Sequence, residues 1–225
     1  KAPVSPSSPP ASPASAPAKA APTSAPVQSR NLPEFEVDKA WPKVPPTWKL
    51  GDASSFAIDA KGNVWLLHRP RTVKAGEAAA PPVVVFDAAG TFVKAWGGED
   101  AGTQWPEREH GIHVDAKGFV WITGNNCPTN GIAGLKPVND DQILKLTGDG
   151  KVAMRIGESN GSKGNADTRN VHRAADVWVH PASNELYVAD GYGNHRVIVF
   201  DAGTGAFERM WGAFGNKPVD DDHCE

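Results

Sequence analysis

Residues 56–68 read FAIDAKGNVWLLH and residues 111–123 read GIHVDAKGFVWIT, which are two copies of one pattern. In both copies, a short apolar run is followed by Asp-Ala-Lys-Gly and then by a second run that contains a tryptophan. An aspartate accepts hydrogen bonds from nearby backbone N–H groups, and glycine adopts positive φ at little cost. The pattern therefore predicts two antiparallel strands joined by a tight turn in each segment.

A weaker third copy lies at residues 176–190, and a second pair of β-rich runs follows each copy. Those further runs are VVVFDAAGTFVKAWG (83–97), QILKLTGDGKVAMRIG (142–157) and RVIVFDAGTGAFERMWG (196–212). Four antiparallel strands per unit are typical of a β-propeller blade. The sequence thus predicts an all-β fold with three four-stranded blades, at about residues 48–98, 109–157 and 172–215. Because a single sheet cannot bury its own faces, we expect the recurring residues Trp65, Trp121, Trp96, Ile156 and Trp211 to pack between blades.

Three blades do not close a ring, since propellers have about four to eight. The sequence ends in DDDHCE at residue 225, where a fourth unit would begin. We therefore expect one of two situations. Either the sequence is truncated and represents the first half of a six-bladed propeller, or two copies associate to complete the ring.

Residues 1–30 have a different composition, with eight prolines, eight alanines, seven serines and no acidic residue. Such a segment has too little apolar surface to offset its ordering entropy, so we predict a disordered linker ahead of a partial propeller at residues 31–225. A leader of this kind and a first residue other than Met favour an exported protein, located in the periplasm, at the cell surface or outside the cell.

Charge and cysteine content exclude some classes of function. The net charge of −3 is too balanced to indicate nucleic acid as a partner, and no apolar run approaches the length of a membrane span. Cys127 and Cys224 form neither a disulfide framework nor a CxxC metal motif, and whether they are paired or free stays open.

Residues 190–200, DGYGNHRVIVF, resemble the signature of the NHL repeat, which is a propeller repeat. Three further segments, LHR (67–69), EHGI (109–112) and YVADGYGN (187–194), occur in the same order as in the catalytic propeller of peptidyl-α-hydroxyglycine α-amidating lyase. The chain is similar to that family, including its bacterial relatives, from about residue 48 to 215. The resemblance implies a six-bladed propeller with a catalytic zinc ion and a structural calcium ion.

Site residues follow from the resemblance position by position. His110 matches a zinc ligand, Tyr192 the catalytic tyrosine, and Arg69 a substrate-binding arginine. Ile112 matches a residue whose backbone carbonyl contacts the calcium. The family's other two histidines and its second arginine belong to later blades, although His223 has a spacing that makes it a candidate for a further ligand. Gly193 stands where the animal enzymes have a disulfide-forming cysteine.

The implied reaction is the breakdown of a peptide carbinolamide to an amide and glyoxylate. Zinc held by neutral imidazoles can bind the hydroxyl oxygen of such a substrate and make its proton easier to remove. A tyrosinate can act as the base, and an arginine can hold a carboxylate through its two-pronged guanidinium. The substrate would be a small molecule or a peptide.

Simpler explanations stay open for the same residues. His110 and Tyr192 can line the propeller channel without binding a metal, Arg69 can pair with an acidic loop residue, and the NHL signature predicts structural roles for His195 and Arg196. The main alternative function is a non-enzymatic exported propeller that binds a protein, peptide or glycan through its loop face, chiefly residues 124–141. A calcium-dependent lactonase is a third hypothesis, but no Glu/Asn/Asp constellation stands out for it.

Overall fold

The computed structural model of the chain describes residues 32–99, 104–129 and 131–220. The chain divides into two units, residues 1–37 and residues 38–225, and the second unit carries all the strands given below. The predicted linker at residues 1–30 lies outside the described residues, as do His223 and Cys224. In the part of the chain that is described, no helix is long and apolar enough to cross a membrane.

The described residues form twelve strands in three antiparallel sheets, each with four strands in chain order. The first sheet contains Asp52–Ile58 (β1), Val64–Arg69 (β2), Val83–Phe86 (β3) and Phe92–Trp96 (β4). The second contains Glu109–Val114 (β5), Val120–Gly124 (β6), Gln142–Leu146 (β7) and Val152–Gly157 (β8). The third contains Asp176–Val179 (β9), Glu185–Asp190 (β10), Arg196–Asp201 (β11) and Phe207–Trp211 (β12).

This architecture confirms the predicted all-β fold with three propeller-type blades. The strands of each sheet fall inside one of the predicted blade ranges. The domain boundaries themselves stay a prediction.

The repeated Asp-Ala-Lys-Gly segment forms the hairpin turn between the first two strands of a blade. Asp59 accepts hydrogen bonds from the backbone N–H groups of Lys61 and Asn63, and its second carboxylate oxygen accepts one from Trp65 Nε1 at 3.0 Å. Asp115 makes the equivalent bond to Trp121 Nε1 at 2.9 Å. The aspartate therefore explains two features of the repeat at once, because it closes the turn and also orients the tryptophan.

Apolar side chains pack the three sheets against one another. Between the first and second sheets lie Trp65, Leu67, Val83, Val85, Ile112, Val120, Ile122 and Leu144. Between the second and third lie Trp121, Ile143, Ile156, Val177, Val188, Ile198 and Phe200. The predicted packing of the repeated tryptophans between blades is therefore confirmed for Trp65 and Trp121, which are buried.

Arg196, from the NHL signature, has the structural role that the sequence predicts. Its guanidinium is fully buried and pairs with Asp190 at 2.9 Å. It also donates to the backbone carbonyls of Asn165, Asp167 and Asn170, and so attaches the loop before β9 to the third sheet.

The long connections all leave the sheets at one edge. Strand pairing places the start of β1 beside the end of β2, and the end of β2 beside the start of β3. The same arrangement holds in the other two sheets. The loops that emerge there include residues 70–82, 125–129, 131–141, 158–175 and 191–195. We call this side of the unit the loop edge.

Candidate functional site

His110 lies at the loop edge on β5, where the pairing of β5 with β6 is interrupted by an irregularity between Glu109 and Ile112. Its Nδ1 atom is 2.8 Å from the backbone carbonyl oxygen of Ala175. Because a carbonyl oxygen only accepts, Nδ1 carries the ring proton and Nε2 holds the free lone pair. The backbone of the neighbouring blade thus determines which nitrogen of His110 is available.

Tyr192, on the third blade, places its hydroxyl group next to this lone pair of His110. Its hydroxyl group lies 2.9 Å from His110 Nε2, and the two rings contact edge to face with centroids 5.0 Å apart. Tyr192 belongs to the short loop 191–195 that follows β10, and it is 52% exposed. The structure therefore brings together two of the predicted site residues, although they are 82 positions apart in the chain.

Arg69, at the end of β2, approaches the same place from the first blade. Its Nε donates to the backbone carbonyl of Glu109 at 3.1 Å, and its Nη2 donates to Ser54 Oγ at 3.1 Å. Ser54 Oγ in turn lies 2.8 Å from the carbonyl oxygen of His110. Arg69 is thus attached to the backbone that carries His110, rather than paired with an acidic loop residue.

The electrostatic environment favours the neutral form of His110. Burial is the largest effect and lowers the pKa of His110, the hydrogen bond with the Ala175 carbonyl opposes it, and the positive charges of Arg69 and Arg108 lower the pKa further. A neutral imidazole can accept a proton or bind a metal ion through Nε2.

Sequence reasoning missed Arg108, a half-buried residue of the same site. Burial is the main cause that lowers the pKa values of Arg69 and His110, and the positive charge of Arg108 lowers both further. Its Nε atom is buried and has no hydrogen-bond partner in the part of the chain that is described. Arg108 lies in the bend before β5, so strand alternation gives no sequence signal for it.

Sequence reasoning also missed the pair formed by Asp141 and His172, for which no local signal exists. Asp141 Oδ1 lies 2.7 Å from His172 Nδ1, and the aspartate side chain is 2% exposed. His172 packs against Gly193, the residue after Tyr192.

The described residues do not by themselves form a metal centre. His110 itself suits a metal, since a histidine ligand usually donates its other ring N–H to a carbonyl or carboxylate. However, the described residues contain no cluster of three or more His, Cys, Asp or Glu side chains. A zinc site needs at least three protein ligands, so a zinc ion at His110 would need ligands from elsewhere.

Ile112, the predicted calcium contact, lies on β5 and is buried. The side chain of Ile112 is buried between the first and second sheets, and the residue pairs with Ile122 of β6. Its role in binding calcium through the backbone carbonyl stays a prediction.

No protein-family model matches the chain. It is 26% identical over 193 residues to peptidyl-glycine alpha-amidating monooxygenase A of Xenopus laevis, a match that covers 79% of this chain and 18% of that protein. It is 24% identical over 205 residues to the peptidyl-glycine alpha-amidating monooxygenase of Mus musculus, covering 82% of this chain and 19% of that protein. The chain thus spans about a fifth of the length of the curated relatives it matches.

Among solved structures, the WD40 repeats of RRP9 superpose with a TM-score of 0.47 at 7% identity, over 75% of this chain and 40% of that one. The described part of the chain forms three four-stranded blades of propeller type, and the chain resembles the peptidylglycine alpha-amidating monooxygenases in sequence over most of its length.

Proposed function

We propose that His110, Tyr192 and Arg69 form part of a lyase site that cleaves a peptidyl-α-hydroxyglycine to a peptide amide and glyoxylate. The observation that carries the proposal is the 2.9 Å contact between His110 Nε2 and the Tyr192 hydroxyl group, which joins two blades at the loop edge. The likeness to the amidating monooxygenases supports the same reaction class.

Tyr192 would act as the proton acceptor. The substrate loses its hydroxyl proton as the carbon–oxygen double bond of glyoxylate forms, and the electron pair of the broken C–N bond passes to the nitrogen, which takes up a proton. Tyr192 can accept the hydroxyl proton once its own proton has left, and its hydrogen bond to the neutral His110 provides one route for that proton.

Arg69 and Arg108 would hold the substrate carboxylate. Arg69 is oriented by Glu109 and Ser54, whereas the buried Nε of Arg108 has no hydrogen-bond partner among the residues that the structure describes. Two neighbouring guanidinium groups repel each other, and a carboxylate bound between them would relieve that repulsion. Arginine also pairs with a carboxylate through two parallel hydrogen bonds, which orients it.

A zinc ion bound at His110 Nε2 would supply Lewis-acid polarisation of the substrate hydroxyl group. Nε2 has one lone pair, so it either accepts the phenol proton or binds the metal. The other ligands would come from outside the described residues, and a calcium ion at the carbonyl of Ile112 would have a structural role.

Release of glyoxylate from an N-acyl-α-hydroxyglycine, measured with and without added Zn²⁺, tests the proposal directly. We expect Tyr192→Phe to lower the rate about 100-fold or more, the usual contribution of a general base, while Tyr187→Phe is much less affected. Tyr187 is the matched control because the chain has only these two tyrosines. Equal rates for the wild type and Tyr192→Phe would contradict the lyase proposal.

The alternative is a binding propeller without catalysis, and one feature of the loop edge favours it. A groove of about 560 Å³ is lined there by apolar and charged residues, including Trp48, Pro81, Trp105, Glu107 and Leu135. Tight binding of an acylated peptide without glyoxylate release would support this function instead.

Export is also part of the proposal, on the basis of the Ala/Pro/Ser-rich leader. Fractionation of the source cells, followed by detection of the native protein, tests it.

A further inference from the structure

Tyr192 is not oriented by burial of its own side chain, since it is 52% exposed and lies in the loop 191–195. An exposed side chain on a short loop samples several rotamers unless its backbone is held. Yet a proton acceptor must lie within hydrogen-bond reach of the group that it serves. Some other part of the molecule must therefore hold the backbone around Tyr192.

His172 and Arg173, in the loop before β9, contact the chain on both sides of Tyr192. Arg173 Nη2 donates to the carbonyl oxygen of Tyr192 at 2.9 Å. The backbone N–H of Gly193 donates to the carbonyl oxygen of His172 at 3.0 Å, and the backbone N–H of His172 donates to Asp190 Oδ1 at 2.8 Å. Two adjacent residues thus hold the segment from Asp190 to Gly193.

Asp141 holds His172 in place from the second blade. One oxygen of its buried carboxylate pairs with His172 Nδ1 at 2.7 Å, and the other accepts the backbone N–H of Ser162 at 3.2 Å. The backbone N–H of Arg173 also bonds to the carbonyl oxygen of Asp140 at 3.2 Å. Arg173 has φ of +61°, a left-handed conformation that residues with side chains rarely adopt. This conformation is maintained by contacts on both sides of the residue.

Gly193 lies so close to the ring of His172 that the backbone has no room for a side chain there. A Cβ atom at Gly193 would overlap the ring of His172. At Gly191, on the other side of Tyr192, a Cβ atom would have no heavy atom within 4 Å. The same one-carbon substitution therefore has opposite consequences at two glycines that flank the tyrosine.

We propose that Asp141, His172 and Arg173 are positioning residues that hold the Tyr192 hydroxyl group against His110. Arg173 acts through its hydrogen bond to the Tyr192 carbonyl, and His172, held by Asp141, acts through the close contact of its ring with Gly193. The proposal rests on the role of Tyr192 in the proposed lyase site. It assigns to the Asp141–His172 pair a function in the geometry of the site, without contact to substrate.

The first test uses a readout that needs no turnover. Because the chain has two tyrosines, 3-fluorotyrosine labelling yields two ¹⁹F NMR signals, and the Tyr187→Phe variant assigns the signal of Tyr192. In the wild type we expect the adjacent ring of His110 to shift the Tyr192 signal away from the position of free fluorotyrosine. In Gly193→Ala the signal should move to the position of free fluorotyrosine, whereas Gly191→Ala should behave like the wild type.

Two further variants separate positioning from misfolding. Asp141→Asn keeps the shape of the side chain but alters its bond to His172, and it should shift the Tyr192 signal in the same direction as Gly193→Ala. Adding Gly193→Ala to a His172→Ala background should have little additional effect, because the ring that the new methyl group overlaps is gone. Thermal unfolding of each variant shows whether the fold is kept.

Kinetics then connect the contact to the reaction. Gly193→Ala should lower kcat on the order of 100-fold with little change in KM, since a displacement of about 1 Å can have that effect, while Gly191→Ala keeps the wild-type rate. An unchanged Tyr192 signal in folded Gly193→Ala protein would overturn the positioning proposal. If instead the Tyr192 signal responds as expected but neither the wild type nor any variant releases glyoxylate, the positioning role stands and the lyase proposal fails.

Discussion

At the scale of single residues, Arg108 shows how a side chain can belong to a site without matching any motif. Its positive charge adds to the effect of burial in lowering the pKa values of Arg69 and His110, and its buried Nε has no partner among the described residues. A buried donor without an acceptor is unfavourable, so we interpret Arg108 as ready to bind an anion.

Replacing Arg108 by Gln should weaken the binding of a carboxylate substrate. A hydrogen bond to a charged group contributes about 1.5–3 kcal/mol, so KM should rise about 10- to 100-fold while kcat changes less. Steady-state kinetics on an N-acyl-α-hydroxyglycine measure this effect. Arg169→Gln, which changes an exposed arginine of the loop 158–175, is the control. A KM equal to that of the control would exclude Arg108 from substrate binding.

At the scale of the structural element, the hairpin turn at Asp59 stabilises the first blade in a pH-dependent way. Burial alone would raise the pKa of Asp59, but hydrogen bonds from Asn63, Trp65 and Lys61 lower it from 3.8 to about 2. A carboxylate with a depressed pKa stabilises the fold above its ordinary pKa, and this contribution is lost as the pH falls through the folded value. The relevant window is therefore between about pH 4 and pH 2.

The variant Asp59→Asn should be less stable than the wild type at pH 7, and the difference should shrink between about pH 4 and pH 2. Urea unfolding at a series of pH values measures both free energies of unfolding. Asp87→Asn alters the corresponding turn between β3 and β4 and leaves the bond to Trp65 intact, so its pH profile in this window should follow the wild type. If the free energies of unfolding of Asp59→Asn and the wild type differ by the same amount from pH 7 to pH 2, the Asp59 carboxylate is not the cause of the stabilisation.

At the scale of the whole molecule, several large apolar side chains on the first and third sheets are exposed to solvent. Phe56 and Ile58 of β1 are 64% and 60% exposed, and Trp178 of β9 is 48% exposed. Exposed apolar surface of this kind favours association with a further blade or a second copy.

We therefore expect the protein to self-associate at micromolar concentration, and sedimentation velocity measures this. Phe56→Glu and Trp178→Glu should each lower the proportion of the associated species, because a charged group buried in the contact is unfavourable. Val152→Glu, on the outer strand of the second sheet, is the control and should have little effect. A monomer at all concentrations in the wild type would contradict this prediction.

The sequence alone determined the all-β fold, the three blades, the turn-closing role of Asp59 and Asp115, and the packing of Trp65 and Trp121 between blades. This was possible because turn closure and strand alternation depend on hydrogen bonds and apolar contacts within about fifteen residues, and the pattern is repeated. The resemblance to known lyases also singled out His110, Tyr192 and Arg69.

Only the tertiary structure decided how those residues meet. The contact of His110 with Tyr192 spans 82 positions, and that of Asp141 with His172 spans 31. Such distances in the chain carry no local signal, because they depend on how three sheets stack and on the paths of the loops between them. That stacking places backbone groups of one blade against side chains of the next. It determines which nitrogen of His110 is available, leaves the Nε of Arg108 without a partner among the described residues, and produces the tight contact at Gly193.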